Sequence, residues 1–108
     1  MSGSDPTVQR TGVGGGTHDE CPGPAFETVL ASPDPAAVAG VSRDDLLDIV
    51  SVDVPARGVE ARTLDGQYVG AVVRDIARLR RCLATGHAYE ADVVRVAGGS
   101  VTVYVRPQ

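Results

Sequence analysis

Tryptophan and lysine are missing from this chain of 108 residues, methionine occurs once, and aromatics are limited to three Tyr and one Phe. A core must therefore be assembled from Val, Leu, Ile and Ala, which suits thin β-structure. No apolar run reaches 18 residues, which excludes a membrane-spanning helix. The opening Met1-Ser-Gly-Ser-Asp-Pro6 lacks the basic and then apolar regions of a secretory signal. A soluble, cytoplasmic protein is the expectation. The absence of Lys leaves all ten basic residues as Arg, a usage that suits a GC-rich genome. Two Cys and two His are too few for a rich metal or redox chemistry.

What is present divides unevenly. Residues 1–53 carry two Arg against nine carboxylates, and residues 54–108 carry eight Arg against five, so a net charge of −4 hides an acidic front and a basic back. Such asymmetry can mark a nucleic-acid surface or simply favour solubility. Residues 1–24 are polar, rich in Gly and Pro and free of periodicity, which predicts a disordered N-terminal arm. Gly12-Val-Gly-Gly-Gly16 has no Lys-Ser/Thr after it and no strand before it, so it is not a phosphate loop. Residues 25–108 are expected to form a single compact domain, near the size where a core is only just sufficient.

Within that domain Phe26–Leu30 reads as a short strand. Ser32-Pro-Asp-Pro-Ala-Ala-Val-Ala-Gly40 reads as a helical turn over about 33–39, capped by Ser32 and ended by a left-handed Gly40. A turn at Ser42–Asp45 precedes a strand over Leu46–Val52. Val59 and Ala61 alternate with Glu60 and Arg62, Asp65-Gly66 makes a two-residue hairpin turn, and Tyr68–Val73 returns, with Gly70 marking a bulge or close approach. Asp75 starts a helix over about 75–85 that Gly86 ends. Ile76, Leu79 and Leu83 share one of its faces, and Arg74, Arg78 and Arg81 the opposite one. Ala88–Val96 and Ser100–Arg106 flank Gly98-Gly99, with Val101, Val103 and Val105 facing inward. The fold class is therefore α+β but mostly β: a small, strongly curved antiparallel sheet or barrel of five to six strands, with the amphipathic helix closing one end.

Val59-Glu-Ala-Arg-Thr-Leu-Asp-Gly-Gln-Tyr-Val-Gly-Ala-Val-Val-Arg-Asp-Ile-Ala-Arg-Leu79, followed by Gly86-His-Ala-Tyr-Glu-Ala-Asp-Val93, resembles the second half of HIRAN domains. That resemblance implies a modified β-barrel that binds DNA ends or single strands. It departs from the family at Ser51-Val-Asp-Val-Pro-Ala-Arg57 and at Ala71-Val-Val-Arg74. Cys21, Leu30-Ala-Ser-Pro-Asp-Pro35 and Leu79-Arg-Arg-Cys-Leu-Ala-Thr-Gly-His-Ala-Tyr-Glu-Ala-Asp-Val93 are also similar to a group of small uncharacterised prokaryotic proteins, a likeness that brings no activity with it.

Among chemistry-bearing residues, Cys21 and Cys82 are expected to be unpaired thiols in a reducing cytosol. A Cys21–Cys82 disulfide and a zinc set of His18, Cys21, Cys82 and His87 are the alternatives. Asp44, Asp45 and Asp48 read as a solvated turn, and Glu90 and Asp92 as a carboxylate pair on one strand face. No nucleophile has an orienting acid and an oxyanion device, so neither an enzyme nor a cofactor is expected. A binding or adaptor module, meeting a protein partner or a second copy of itself, is the leading functional expectation. The alternative is DNA or RNA binding through Arg74, Arg78 and Arg81, with Arg62 and Arg95 from the strands and Tyr68, Tyr89 and Tyr104 stacking on bases.

Overall fold

The computed structural model describes residues 21–23 and 25–108. Six strands and two helices follow in the order β1 (Phe26–Val29), α1 (Pro35–Ala39), β2 (Leu46–Val52), β3 (Gly58–Arg62), β4 (Tyr68–Ala71), α2 (Ile76–Ala84), β5 (Tyr89–Ala97) and β6 (Ser100–Pro107). All strand pairs are antiparallel, in the sheet order β1-β6-β5-β2-β3-β4. The sheet curls into a half-barrel whose two edges touch just past β1. There Ala31 and Ala71 exchange two backbone hydrogen bonds of 2.8 Å each. The mostly β, strongly curved architecture expected from the periodicity is the one observed.

Alternation decides what lies inside. Leu47 and Ile49 of β2, Val59 and Ala61 of β3, Tyr89, Ala91 and Val93 of β5, and Val101, Val103 and Val105 of β6 are all buried. Each fully buried Val contributes about 1.5–3 kcal/mol, so a core of small aliphatics suffices only because it is continuous. Gly98 and Gly99 both have positive φ (59° and 82°) in a two-residue turn that pairs Ala97 with Ser100. Thr102, expected to face outward, is buried, because Val29 and Arg95 flank it on the neighbouring strands and cover it.

Several local expectations are corrected. α1 is capped by Asp34, whose carboxylate accepts from the Ala37 amide at 2.9 Å, and not by Ser32. Pro35 occupies the helix start, where a missing N–H costs nothing, and this moves the cap two residues along. Gly40 has φ −98° and so ends the turn without a left-handed residue. Asp75 does precede α2, but its backbone is left-handed and its side chain makes no capping bond. The Asp65-Gly66 connection is one residue longer than a two-residue turn. The Thr63 amide donates to the Gln67 carbonyl and the Gly66 amide to the Thr63 carbonyl, leaving Leu64, Asp65 and Gly66 between the strands. Gly70 is a site of close approach: a Cβ there would lie 2.7 Å from the Leu30 Cβ.

The predicted arm over residues 1–24 falls mostly outside the described residues, but its last part belongs to the fold. Cys21 is bonded to Cys82 of α2, and the Gly23 amide donates to the Tyr89 hydroxyl. Among the described residues no helix is long and apolar enough to cross a membrane.

Candidate functional site

A concavity lies where the β2–β3 connection (residues 53–57) faces α2 and the exit of β4. Arg80 fixes this connection in place. Its Nη1 donates to Ser51 Oγ at 2.9 Å and to the carbonyls of Val52 and Gly58 at 2.8 Å each, and its Nη2 meets Asp53 Oδ1 at 3.0 Å. One guanidinium thus holds both ends of the loop through Nη1, while Nη2 engages Asp53. Helical spacing explains why Arg80 is available for this: Leu79 and Cys82 turn into the core, and Arg80 flanks them on the side of β2 and β3.

Two adjoining hollows result, with Arg57 and Ile76 common to both. The first, of about 400 Å³, is lined chiefly by Val52, Pro55, Val73 and Ile76, with Tyr68 and Glu60 at one side. The second, of about 630 Å³, runs along α2 past Ala77, Arg81 and Ala84, with Asp53 and Arg80 in its wall. Val54 in the loop is 81% exposed and Val73, after β4, is 57% exposed, high values for aliphatic side chains.

The polar groups of the groove differ in how far they are satisfied. Tyr68 donates its hydroxyl to the Ser32 carbonyl at 2.7 Å. Burial, and then the Glu60 and Asp34 carboxylates, push its phenol above the ordinary value, so it stays a donor. Glu60 accepts from Arg62 Nε at 3.0 Å and Nη2 at 2.7 Å. Asp53 is engaged by Arg80. Arg57 is exposed and has no hydrogen bond or ion pair with any described residue. The groove therefore joins an apolar end to a cationic one, with an uncompensated guanidinium at the junction.

The arginines expected to form one basic surface are dispersed among different tasks. Arg74 lies before α2 rather than on its stripe. It donates to the Glu27 carbonyl at 2.8 Å, and its guanidinium carbon sits 5.4 Å from the centre of the Phe26 ring. Arg62 serves Glu60, and Arg95 reaches Thr102 Oγ1 at 3.5 Å from a separate hollow that it shares with Arg43. Arg78 and Arg81 remain on α2, beside Cys82, and both have contacts. Arg106 clamps the Glu90 and Asp92 carboxylates, so that pair is a structural contact. Tyr89 is 2% exposed and cannot stack on a base, because its ring fills the core beneath α2. Of the three tyrosines, only Tyr104 is markedly exposed.

The expectation of two unpaired thiols is also corrected. Cys21 and Cys82 form a disulfide, with Cα atoms 5.5 Å apart. The Gly23 amide, bonded to the Tyr89 hydroxyl, helps fix the segment that carries Cys21 to the fold. The bond removes both thiolates from the zinc set, whose His18 lies outside the described residues. Among the described residues no three of His, Cys, Asp and Glu converge on a point. Asp45 of the acidic turn instead accepts from the Ser42 amide at 2.8 Å.

Arg57 is the residue that sequence reasoning missed, and Arg80, expected beside the basic stripe of the helix, instead holds the loop. Pro55-Ala-Arg-Gly58 reads only as a loop, and no pattern in it shows which helix the loop will meet. Comparison with family models, with curated proteins and with solved structures finds no match to this chain.

Proposed function

We propose that this domain is a binding module that receives a segment of a partner protein in the groove between residues 53–57, α2 and the exit of β4. The observation that carries this reading is the junction itself: an apolar hollow, a cationic hollow and an unsatisfied Arg57 shared by both. Sites that recognise ligands are mostly apolar, largely preformed and fitted with a few placed polar groups. The four contacts of Arg80 supply the preformation. The resemblance to HIRAN domains keeps DNA or RNA as the alternative ligand. Of the groups it would use, Arg74 is bonded to the Glu27 carbonyl and Tyr89 is buried. The Cys21–Cys82 disulfide supports work in an oxidising compartment rather than the reducing cytoplasm.

The test is selection of the full chain against a displayed library of random twelve-residue peptides, repeated with Val73→Glu. Enriched peptides that bind the parent protein and lose binding to the folded variant are the expected result. Light scattering of the same samples separates self-association, and an oligonucleotide retardation assay at low salt separates nucleic-acid binding. No enrichment, or enrichment indifferent to Val73→Glu, overturns the groove as the site.

A further inference from the structure

Resting on that reading, we propose a specific class of ligand: an extended acidic peptide whose aliphatic side chain enters the apolar hollow and whose carboxylates meet Arg57 and the cationic hollow beyond it. Charge and polarity change along the groove. At the apolar end Val52, Pro55, Val73 and Ile76 offer no hydrogen-bonding side chain, so the group placed there is aliphatic. Glu60 at that end is already held by Arg62, so it does not call for a cation. At the other end the described lining carries Arg57, Arg80 and Arg81 with Asp53, and of these arginines Arg80 and Arg81 already have contacts. Asp53 is itself paired with Arg80 at 3.0 Å, so it leaves Arg57 uncompensated.

Guanidinium and carboxylate match as planar two-pronged partners, and an uncompensated Arg beside an apolar hollow favours an acidic over a basic ligand. The whole protein carries a net charge of −4, so the preference for an acidic segment is a property of this groove against the sign of the molecule. Tyr68, bonded to the Ser32 carbonyl, stands at one side of the apolar end.

The experiment uses the peptides selected on the full chain, synthesised in three forms: as selected, with each acid replaced by Lys, and with the aliphatic anchor replaced by Ser. Affinities are measured for the parent protein and for Arg57→Glu, whose exposed position lets it fold, as its circular dichroism melting curve will verify. The inference expects acids to be enriched next to an aliphatic residue. It expects roughly a tenfold or greater loss of affinity on Arg57→Glu, from losing a charge-assisted pair. The Lys-substituted peptide should recover binding to Arg57→Glu, and binding of the acidic peptide to the parent should weaken with salt. If the selected peptides lack acids and bind Arg57→Glu as they bind the parent, while Val73→Glu abolishes binding, the ligand class is wrong and the groove reading survives. If no peptide is selected, or an oligonucleotide binds through Arg57 instead, both are overturned.

Discussion

Cys21 and Cys82 are separated by 61 residues of chain and joined by a disulfide that fastens the entry of the fold to the buried face of α2. Closing a loop of this length restricts the unfolded chain by about 4 kcal/mol on the chain-entropy estimate. Reduction, or Cys21→Ser, is expected to lower the unfolding free energy by about 2–4 kcal/mol while leaving the Cys82 side chain in its place in the core. Urea denaturation with and without dithiothreitol checks this. A midpoint that does not move would mean the bond contributes nothing.

Arg80 holds the loop that shapes the groove. Arg80→Met keeps the stem but leaves the carbonyls of Val52 and Gly58 without this donor, and a loss of about 2–3 kcal/mol is expected. Arg80→Lys should recover only part of it, because a shorter side chain with one nitrogen has no second donor atom to reach Asp53 while the first serves Ser51 and the two carbonyls. Melting temperatures of the three proteins decide the matter, and full recovery by Lys would refute the forked arrangement.

Gly70 faces the Leu30 Cβ at 2.7 Å and the Ala31 carbonyl oxygen at 3.3 Å, measured from where its own Cβ would be. Gly70→Ala should cost about 1–3 kcal/mol through forced displacement of the β1–β4 seam. Shortening the neighbour by Leu30→Ala should not relieve the clash, since the atom in the way is the Cβ that alanine retains. A double variant more stable than the Leu30→Ala single variant would contradict this.

Asp92 accepts from Arg106 Nε at 2.7 Å, and that hydrogen bond, reinforced by the Arg106 charge against a smaller opposing effect of burial, holds its carboxyl below the ordinary value. A carboxylate with a depressed folded-state pKa contributes stability above the unfolded pKa of about 4, and loses it as the pH falls through the folded value. Arg106→Met should therefore destabilise the protein at pH 7 and progressively less so below about pH 4. Carboxyl carbon titration by NMR should show the Asp92 midpoint rising in that variant. A penalty independent of pH would assign the effect of Arg106 to packing.

The chain's own order of residues determined most of the sheet. Strand periodicity is local, so the inward Val101, Val103 and Val105, the Leu46–Val52 strand and the Gly98-Gly99 turn could all be read before any contact was known. Cap positions were less legible. Ser32 and Asp34 both carry a capping oxygen, and each is followed by a Pro that could begin the helix, so the pattern alone did not choose between them; the helix begins at Pro35 and Asp34 caps it. The candidate site was decided by the tertiary structure alone. Arg57 and Ile76 are 19 residues apart and meet because Arg80 draws the 53–57 connection onto α2. Cys21 finds Cys82 because the half-barrel curls far enough to bring the start of the fold beneath the helix. A sequence states which groups can pair. Only the path of the chain brings a distant partner within 3 Å, and short-range polar contacts have no strength until it does.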